Sequence, residues 1–458
     1  MKMTGFHDKL AAPRIGLLIG LAFAVIFGHC AGCAFFPSSS SRNGDGAKKF
    51  EKQFQDTLRE LAMTIKSSTL QKLAFSTFLL TLPLNAAFAQ DTAVADRLKA
   101  AMAAQGVDIS WTGVTGDASS MVLQGVSVKP AAEKETLPIG DVKLEGVTEA
   151  NGGYAIATVS TSAFQRSQDG VTLNLSPFVI HDMTVPADGA TGPLGSLMMY
   201  KSAELDNMTV KIADKTAFSM DGLAIEITPP AEGKAMAFSG TTEKFNADLT
   251  LVDDPKSKEV INALGYQNIT GNLEMAGTWQ PSDGKMELSK YDISVDNAGT
   301  LGMTFDLGGY TLDVIKSLQQ MQKKMAAQPE GADKSAEGMA MLGLLQQLSF
   351  NSASVRFDDD SLTNKVLDYV GKQQGMSGKD IANQAKAIVP FGMAQLNNPE
   401  LTAEVTAAVG KYLDDPQSLE ISAEPSAAVP FALIMAGAMS NPLDLPKTLG
   451  VTVKANED

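Results

Sequence analysis

The sequence predicts an α+β protein, mostly antiparallel β, with a long curved meander sheet, a helical insertion and a smaller C-terminal α/β region. Two observations carry this prediction. Apolar and polar residues alternate with a period of two across residues 109–309, as in half-buried strands, and a helical period replaces it after Gly309. Turn signals separate the alternating runs, which favours a meander of neighbouring strands.

An export signal lies inside the chain. Two lysines precede a short apolar run over residues 73–84, and a small-x-small cleavage site ends at Ala89. Because such a signal has to lead a chain to be recognised, we expect translation to begin at Met63. Residues 63–89 would then be removed as a signal peptide, which predicts a periplasmic protein that begins at Gln90.

A second apolar run lies before that signal. Residues 15–36 follow basic residues and are about long enough to cross a bilayer. Three alternatives therefore remain open for residues 1–62. They are an over-extended N-terminus, which we favour, a membrane anchor over residues 15–36, or a lipoprotein signal with an acylated Cys33.

Composition excludes several classes of function. The chain has 37 Lys and Arg against 52 Asp and Glu, a net charge of −15, and residues 90–458 are more acidic still. Such a surface repels phosphate backbones, so we expect no nucleic-acid partner. Cys30 and Cys33 precede the expected start, and His181 is the one histidine after residue 89. These absences exclude cysteine nucleophiles, disulfides and histidine-rich metal sites from the exported part.

Residues 90–310 are the predicted β-rich domain. A short helix over residues 92–105 opens it and ends at Gly106. The clearest strand covers residues 269–279, where Ile, Gly, Leu, Met and Trp alternate with mostly polar residues. A similar alternation covers residues 301–307. Each pattern predicts one buried and one wet face.

A degenerate repeat runs through the same domain, with the pattern apolar-x-apolar-x-(Gly/Asp/Asn)-apolar-x-apolar. Apolar residues hold odd positions of each copy before the central residue and even positions after it. The central residues are Gly, Asp or Asn, which tolerate positive φ. We therefore predict a β-bulge in each copy, which keeps apolar side chains on one face while the strand twists. The central residues are Gly125, Gly146, Asp182, Asn207 and Gly222.

The helical period after Gly309 predicts a helical hairpin over residues 311–350, broken at Pro329, and an α/β region over residues 351–458. Two helix starts are explicit: Ser377 with Asp380 forms a capping box, and Asn398 precedes a proline at the first helical position. The predicted elements are a short strand around residues 355–357, helices over 362–374, 377–389 and 399–413, and strands near 419–423 and 450–454.

No residue pattern predicts a catalytic, cofactor-binding or metal site. Gly-x-Ser-x-Gly, His-Glu-x-x-His and phosphate-loop patterns are absent. His181 is expected to be an exposed or edge histidine. Residues 358–360, three aspartates, lack the ligand spacing of a calcium loop and are expected to support a helix start. Asp253 and Asp254 are expected to do the same before Pro255.

Methionine is the one unusual enrichment, with 22 in the chain. A flexible thioether suits a groove that accepts varied apolar ligands, and it also suits gap-filling in a large core. Both interpretations stay open from sequence alone. The 22 include Met198, Met199, Met321, Met325, Met339, Met341, Met435 and Met439.

Residues 261–311 and 361–380 resemble uncharacterised exported bacterial proteins of unknown function, and the likeness covers most of residues 92–456. Its leading motifs are Leu-Gly-Tyr at 264–266 and Asp-Asn-Ala-Gly at 296–299. The repeat also resembles the AsmA-like envelope proteins, whose curved sheets form grooves that accommodate lipid. That resemblance implies a lipid-binding sheet, and neither resemblance brings a catalytic residue with it.

The expected function is therefore that of a non-enzymatic periplasmic envelope protein, whose sheet binds lipid or another apolar ligand without a cofactor. Two alternatives remain: a structural or protein-interaction factor of the cell envelope, and a hydrolase that uses a pair of carboxylates. An apolar groove on the sheet would favour binding of lipid or another apolar ligand. A closed sheet would favour a structural or protein-interaction role, and a charged cleft would favour a hydrolase. An outer-membrane barrel is disfavoured, because only 6% of the residues are aromatic.

Overall fold

The computed structural model describes residues 92–130, 136–190, 197–230, 234–327 and 335–457. Within these ranges the chain forms one antiparallel sheet of eighteen strands together with nine α-helices, which confirms the predicted α+β class. The proposed signal peptide at 63–89, its cleavage site and the apolar run at 15–36 lie outside the described residues.

The strands are numbered in chain order. They are β1 (Val107–Ser110), β2 (Gly113–Asp117), β3 (Ser120–Pro130), β4 (Leu137–Ala150), β5 (Gly153–Thr161), β6 (Phe164–Gln168), β7 (Val171–Leu175), β8 (Phe178–Val185), β9 (Ser202–Ile212), β10 (Lys215–Thr228), β11 (Met236–Asp248), β12 (Asn268–Gln280), β13 (Lys285–Val295), β14 (Gly299–Gly308), β15 (Ser349–Asp359), β16 (Ser418–Ala423), β17 (Val429–Pro430) and β18 (Val451–Ala455).

The helices are numbered in the same way. They are α1 (Ala93–Ala104), α2 (Pro255–Leu264), α3 (Leu312–Ala327), α4 (Ser335–Leu345), α5 (Leu362–Gln374), α6 (Gly378–Met393), α7 (Pro399–Asp414), α8 (Phe431–Ser440) and α9 (Leu445–Thr448). Helices α3 and α4 come between β14 and β15 in the sequence, but these two strands pair directly with each other. The sheet therefore continues across residue 310 into the C-terminal region.

The sheet is a meander over most of its width. Each strand from β8 to β15 pairs antiparallel with the next one in the chain. Short strands share an edge of a longer strand at three places: β1 and β2 along β3, β7 and β8 along β9, and β16 and β17 along β15. The last strand, β18, pairs with β16.

The central residues of the repeat mostly have the predicted left-handed conformation. Gly125, Gly146, Asp182 and Gly222 have φ values of 57°, 64°, 51° and 62°. Buried positions lie on both sides of the three glycines, as with Leu144 and Val147 around Gly146, whereas at Asp182 they lie only after it. The repeat therefore keeps apolar side chains on one face by a local backbone reversal.

Asn207 is the exception, and the prediction of a positive φ there was wrong. Its backbone N–H donates to Ser176 Oγ at 3.0 Å, and its carbonyl accepts from the Ser176 N–H at 2.9 Å. Ser176 lies in the short gap between β7 and β8. The break in the neighbouring strand therefore accommodates the phase change, without a left-handed residue in β9.

The explicit helix starts are confirmed. Ser377 and Asp380 form a capping box at α6, and Asn398 accepts a hydrogen bond from the Leu401 N–H at α7. The predicted end of α6 near residue 389 was wrong, because the helix continues through Pro390 to Met393. A proline so close to the end of a helix removes only one backbone hydrogen bond.

Two longer C-terminal elements differ from the sequence prediction, and the short β17 and α9 were not predicted either. The strand expected around residues 355–357 is the eleven-residue β15. Helix α8 was not predicted at all, because its residues show no polar face from which a helical period could be read. Both elements border the candidate site described next.

Candidate functional site: an apolar sheet face that opens at its C-terminal strands

One apolar row crosses the sheet at right angles to its strands. Directly paired residues carry it from β3 to β5 and again from β8 to β18, and the Phe178 N–H donates to Thr161 Oγ1 where the two parts meet. The row consists of Leu123, Val142, Thr161, Phe178, Leu205, Leu223, Thr242, Leu273, Ile293, Leu301, Phe357, Leu419 and Ala455. These pairings place all of these side chains on one face of the sheet.

Exposure along this row is lowest at β3, where Leu123 is 0% exposed, and it rises from β9 to β14 before it falls again at β18. The exposed fraction is 3% at Leu205, 8% at Leu273, 38% at Leu301 and 3% at Ala455. The same face is therefore a core surface at β3 and an accessible surface at β14.

The neighbouring row is more open. Val355 on β15 and Ile421 on β16 pair directly, and they are 47% and 51% exposed. Val453 on β18, which pairs with Ile421, is only 8% exposed. Leu301, Val355 and Ile421 are here called the open section.

Helix α7 bounds the open section on one side. Ala408 and Tyr412 of α7 form a buried cluster with Val453 and Ala455 of β18, and Phe357 and Leu419 pack against it. Glu404 Oε1 also accepts a hydrogen bond from the Val453 N–H at 3.0 Å. Helix α7 therefore covers the end of this face and satisfies a backbone donor of β18.

Helix α8 bounds it on the other side. Phe431, the first residue of α8, meets Phe350 of β15 edge to face with ring centroids 6.5 Å apart, and its N–H donates to the Leu348 carbonyl. Phe350 and Phe357 lie seven residues apart, roughly 20 Å along a strand. A helix with side chains is about 10 Å wide. The stretch of β15 between these two contacts, which carries Val355, is therefore longer than one helix is wide.

The opposite face of the same strands is polar. Arg356 contacts Asp358 at 2.9 Å and Glu420 at 3.5 Å. Partial burial works against the charged guanidinium, but the hydrogen bonds and charges of the two carboxylates outweigh it and raise the pKa of Arg356. These two carboxylates are thus engaged in an ionic cluster on the side away from the open section.

His181, a candidate site residue in the sequence, lies away from the open section. His181 is half-buried in β8, paired with Thr158 of β5 and Ser202 of β9, so it does not lie at a sheet edge. The expectation of an edge position was wrong, because β8 follows the β6–β7 hairpin in the chain and pairs with β5 on one side and with β9 on the other.

The aspartate groups have structural roles. Asp359 accepts a hydrogen bond from the Thr363 N–H at 2.9 Å, next to the N-cap Ser361 of α5. Asp254 caps α2 through the Ser257 N–H at 2.7 Å, and hydrogen bonds from Ser257 lower the pKa of its carboxyl. Within the described ranges, no three His, Cys, Asp or Glu residues are grouped to hold a metal ion.

The methionines do not share one location. Met198 is buried at 3% exposure, whereas Met339 of α4 and Met439 of α8 are 69% and 82% exposed. Met199 lines a shallow cavity of about 500 Å³ over β4, β5 and β8, beside the Asp182–Lys201 ion pair. The enrichment therefore serves both the core and the surface.

None of the helices in the described part of the chain is long and apolar enough to cross a bilayer. A family model described as "Uncharacterized protein" matches residues 292–456, about a third of the chain. This agrees with the resemblance to uncharacterised proteins predicted from sequence. The matched segment contains the whole open section together with α7 and α8. No curated protein matches the chain.

Proposed function

We propose that this chain is a non-enzymatic envelope protein of the periplasm that binds lipid or another apolar ligand over the open section. The observation that carries the proposal is the half-exposed pair Val355 and Ile421, on a face that is buried elsewhere in the sheet. Periplasmic location enters the proposal through the signal at residues 63–89, and the likeness to AsmA-like proteins through the repeat.

The size of the open section predicts weak and reversible binding. Transfer of one methylene from water to an apolar surface contributes about 0.8 kcal/mol. A ligand that buried about six methylenes would gain roughly 5 kcal/mol, which is near the free energy of a millimolar to micromolar complex. Such affinities suit a protein that takes up an apolar ligand and releases it again.

Ligand content is the direct test. The protein is purified from its own periplasm and examined by native mass spectrometry, and the ligand-free form is titrated with a fluorescent fatty acid. We expect a bound apolar species and a saturable signal. Protein that is consistently empty and gives no saturable signal would contradict the proposal.

Variants then locate the site. Val355→Thr with Ile421→Thr keeps β-branching while adding hydroxyl groups to the open section, so we expect weaker fatty-acid binding with an unchanged fold. Ile388→Thr on α6, at a side chain that is 65% exposed, is the matched control and should bind like the wild type. Equal binding by all three proteins would place the ligand elsewhere.

A further inference from the structure

Helix α8 has an unusual composition for its surroundings. Its sequence, Phe-Ala-Leu-Ile-Met-Ala-Gly-Ala-Met-Ser, contains no charged residue, and none of its residues is buried. A helix that is apolar all round normally lies inside a protein core or a membrane. The exposed position of α8 therefore leaves apolar surface in contact with water.

The exposed side chains of α8 continue onto a second helix. Helices α8 and α4 are in contact, and the short turn after α8 adds one more apolar side chain. Together they expose Met339, Leu342, Leu433, Met439 and Leu443, with exposed fractions of 69%, 41%, 61%, 82% and 44%. These five residues are here called the α4–α8 surface.

The chemistry of this surface favours hydrocarbon over a protein partner. Protein interfaces place about one hydrogen bond in each 100–200 Å², and although Met is enriched in them, their hot spots are mostly Trp, Tyr and Arg and seldom Leu. The five side chains of the α4–α8 surface are Leu and Met, which neither donate nor strongly accept hydrogen bonds. Helical backbone satisfies its own hydrogen bonds, so burial of α8 in acyl chains leaves few polar groups unpaired.

Length sets the depth of burial. Helix α8 has ten residues and is about 15 Å long, half of the roughly 30 Å hydrocarbon core. It can therefore lie in one leaflet but cannot span. Asp444 and Lys447 follow within a few residues and supply polar groups at the water boundary.

We propose that the α4–α8 surface docks on a lipid bilayer by inserting Leu433 and Met439 among the acyl chains of one leaflet. Because the chain is acidic, the attraction is apolar and does not depend on anionic headgroups. Binding to zwitterionic vesicles should accordingly change little with salt concentration. This docking goes beyond the proposed ligand site and does not require it.

Flotation with phosphatidylcholine vesicles tests the proposal. We expect the full chain to float with the vesicles at low and at high salt. Leu433→Glu and Met439→Glu should each reduce the bound fraction about tenfold or more. Phe391→Glu on α6 is the control at a comparably exposed apolar side chain, 78%, and should float like the wild type.

A second measurement does not depend on the stability of a charged variant. Met439→Cys carrying an environment-sensitive fluorophore should shift its emission to the blue when vesicles are added. Failure of the wild type to float, or flotation of Met439→Glu like the wild type, would overturn the proposal. So would a change from dimer to monomer in the Glu variants without vesicle binding, because a second copy would then be the occupant.

The test is separate from that of the ligand site. The Val355→Thr, Ile421→Thr variant should float normally if only its ligand site is lost. Met439→Glu should retain any bound apolar ligand in native mass spectrometry.

Discussion

The ammonium group of Lys365 lies 4.2 Å from the centre of the Tyr266 ring and donates a hydrogen bond to its hydroxyl at 3.1 Å. Both groups also reach the carbonyl of Asn297, at 2.8 Å from the Tyr266 hydroxyl and 3.2 Å from Lys365 Nζ. Three separate segments thus meet at the β13–β14 turn: the end of α2, the turn itself and α5. The Leu-Gly-Tyr and Asp-Asn-Ala-Gly motifs therefore have a structural role here.

We expect Tyr266→Phe to lower the free energy of unfolding by about 1–2 kcal/mol, because the hydroxyl takes part in two hydrogen bonds. Denaturant unfolding measures the change. Tyr369→Phe is the control, since the one partner of the Tyr369 hydroxyl among the described residues is the exposed Gln373 amide in the same helix. Equal losses in the two variants would mean that the contact with the turn contributes little.

The change from core to surface along the apolar face can be tested by comparing the unfolding free energy that two alanine substitutions cost. Leu144 is 0% exposed and Ile421 is 51% exposed. We expect Leu144→Ala to cost about 2–5 kcal/mol of unfolding free energy, because it leaves a cavity. Ile421→Ala should cost less than about 1 kcal/mol in the ligand-free protein. A loss of similar size at both positions would show that the open section is covered in solution.

Two helical glycines should respond to alanine in opposite directions. A Cβ at Gly410 of α7 meets nothing within 4 Å, so Gly410→Ala should stabilise the protein by about 0.5–1 kcal/mol. A Cβ at Gly371 of α5 lies 2.7 Å from the Met376 carbonyl oxygen, and overpacking of this kind costs about 1–3 kcal/mol. Thermal unfolding of both variants is the measurement. Stabilisation by Gly371→Ala would contradict the close approach of α5 to the α6 start.

Acid should weaken the capping box of α6. Hydrogen bonds from the side chain and backbone of Ser377 lower the pKa of the Asp380 carboxyl from 3.8. A carboxyl with a lowered folded-state pKa stabilises the protein above its unfolded pKa, and the stabilisation is lost as the pH falls through the folded value. We expect Asp380→Asn to be less stable at neutral pH and to lose less stability below about pH 4.

The control for this prediction is Ser377→Ala, which removes the side-chain contribution to the lowered pKa. It should flatten the same part of the stability profile, and the double variant should add little to either single change. An unchanged acid profile in both single variants would mean that the capping box does not couple to pH.

Much of the fold could be predicted because strand geometry has a fixed period. Side chains of a strand point alternately to its two faces, so the pattern in residues 269–279 already separates buried from wet positions. Caps are similarly local, since Ser377 and Asn398 bond backbone groups only three residues away. Such features depend on neighbours in the chain and can be read from them.

The candidate site could not be predicted in the same way. Val355 and Ile421 are β-branched residues in alternating strands, as is the buried Val142, and only the elements packed above them differ. Helix α8 lacks a polar face, so no period marks it. The uncharged stretch of residues 429–443 was the one signal available, and it indicates apolar surroundings without saying whether they are protein or lipid.

The meander order also bears on how the chain folds. Because each strand from β8 to β15 pairs with the one made just before it, the chain can add strands in the order of synthesis, with short loops to close at most steps. The buried part of the apolar face up to β12 can then form while β15, β16 and β18 are still being made. On the proposed function, only the finished molecule would have a place for the ligand, and an incomplete chain would not trap one.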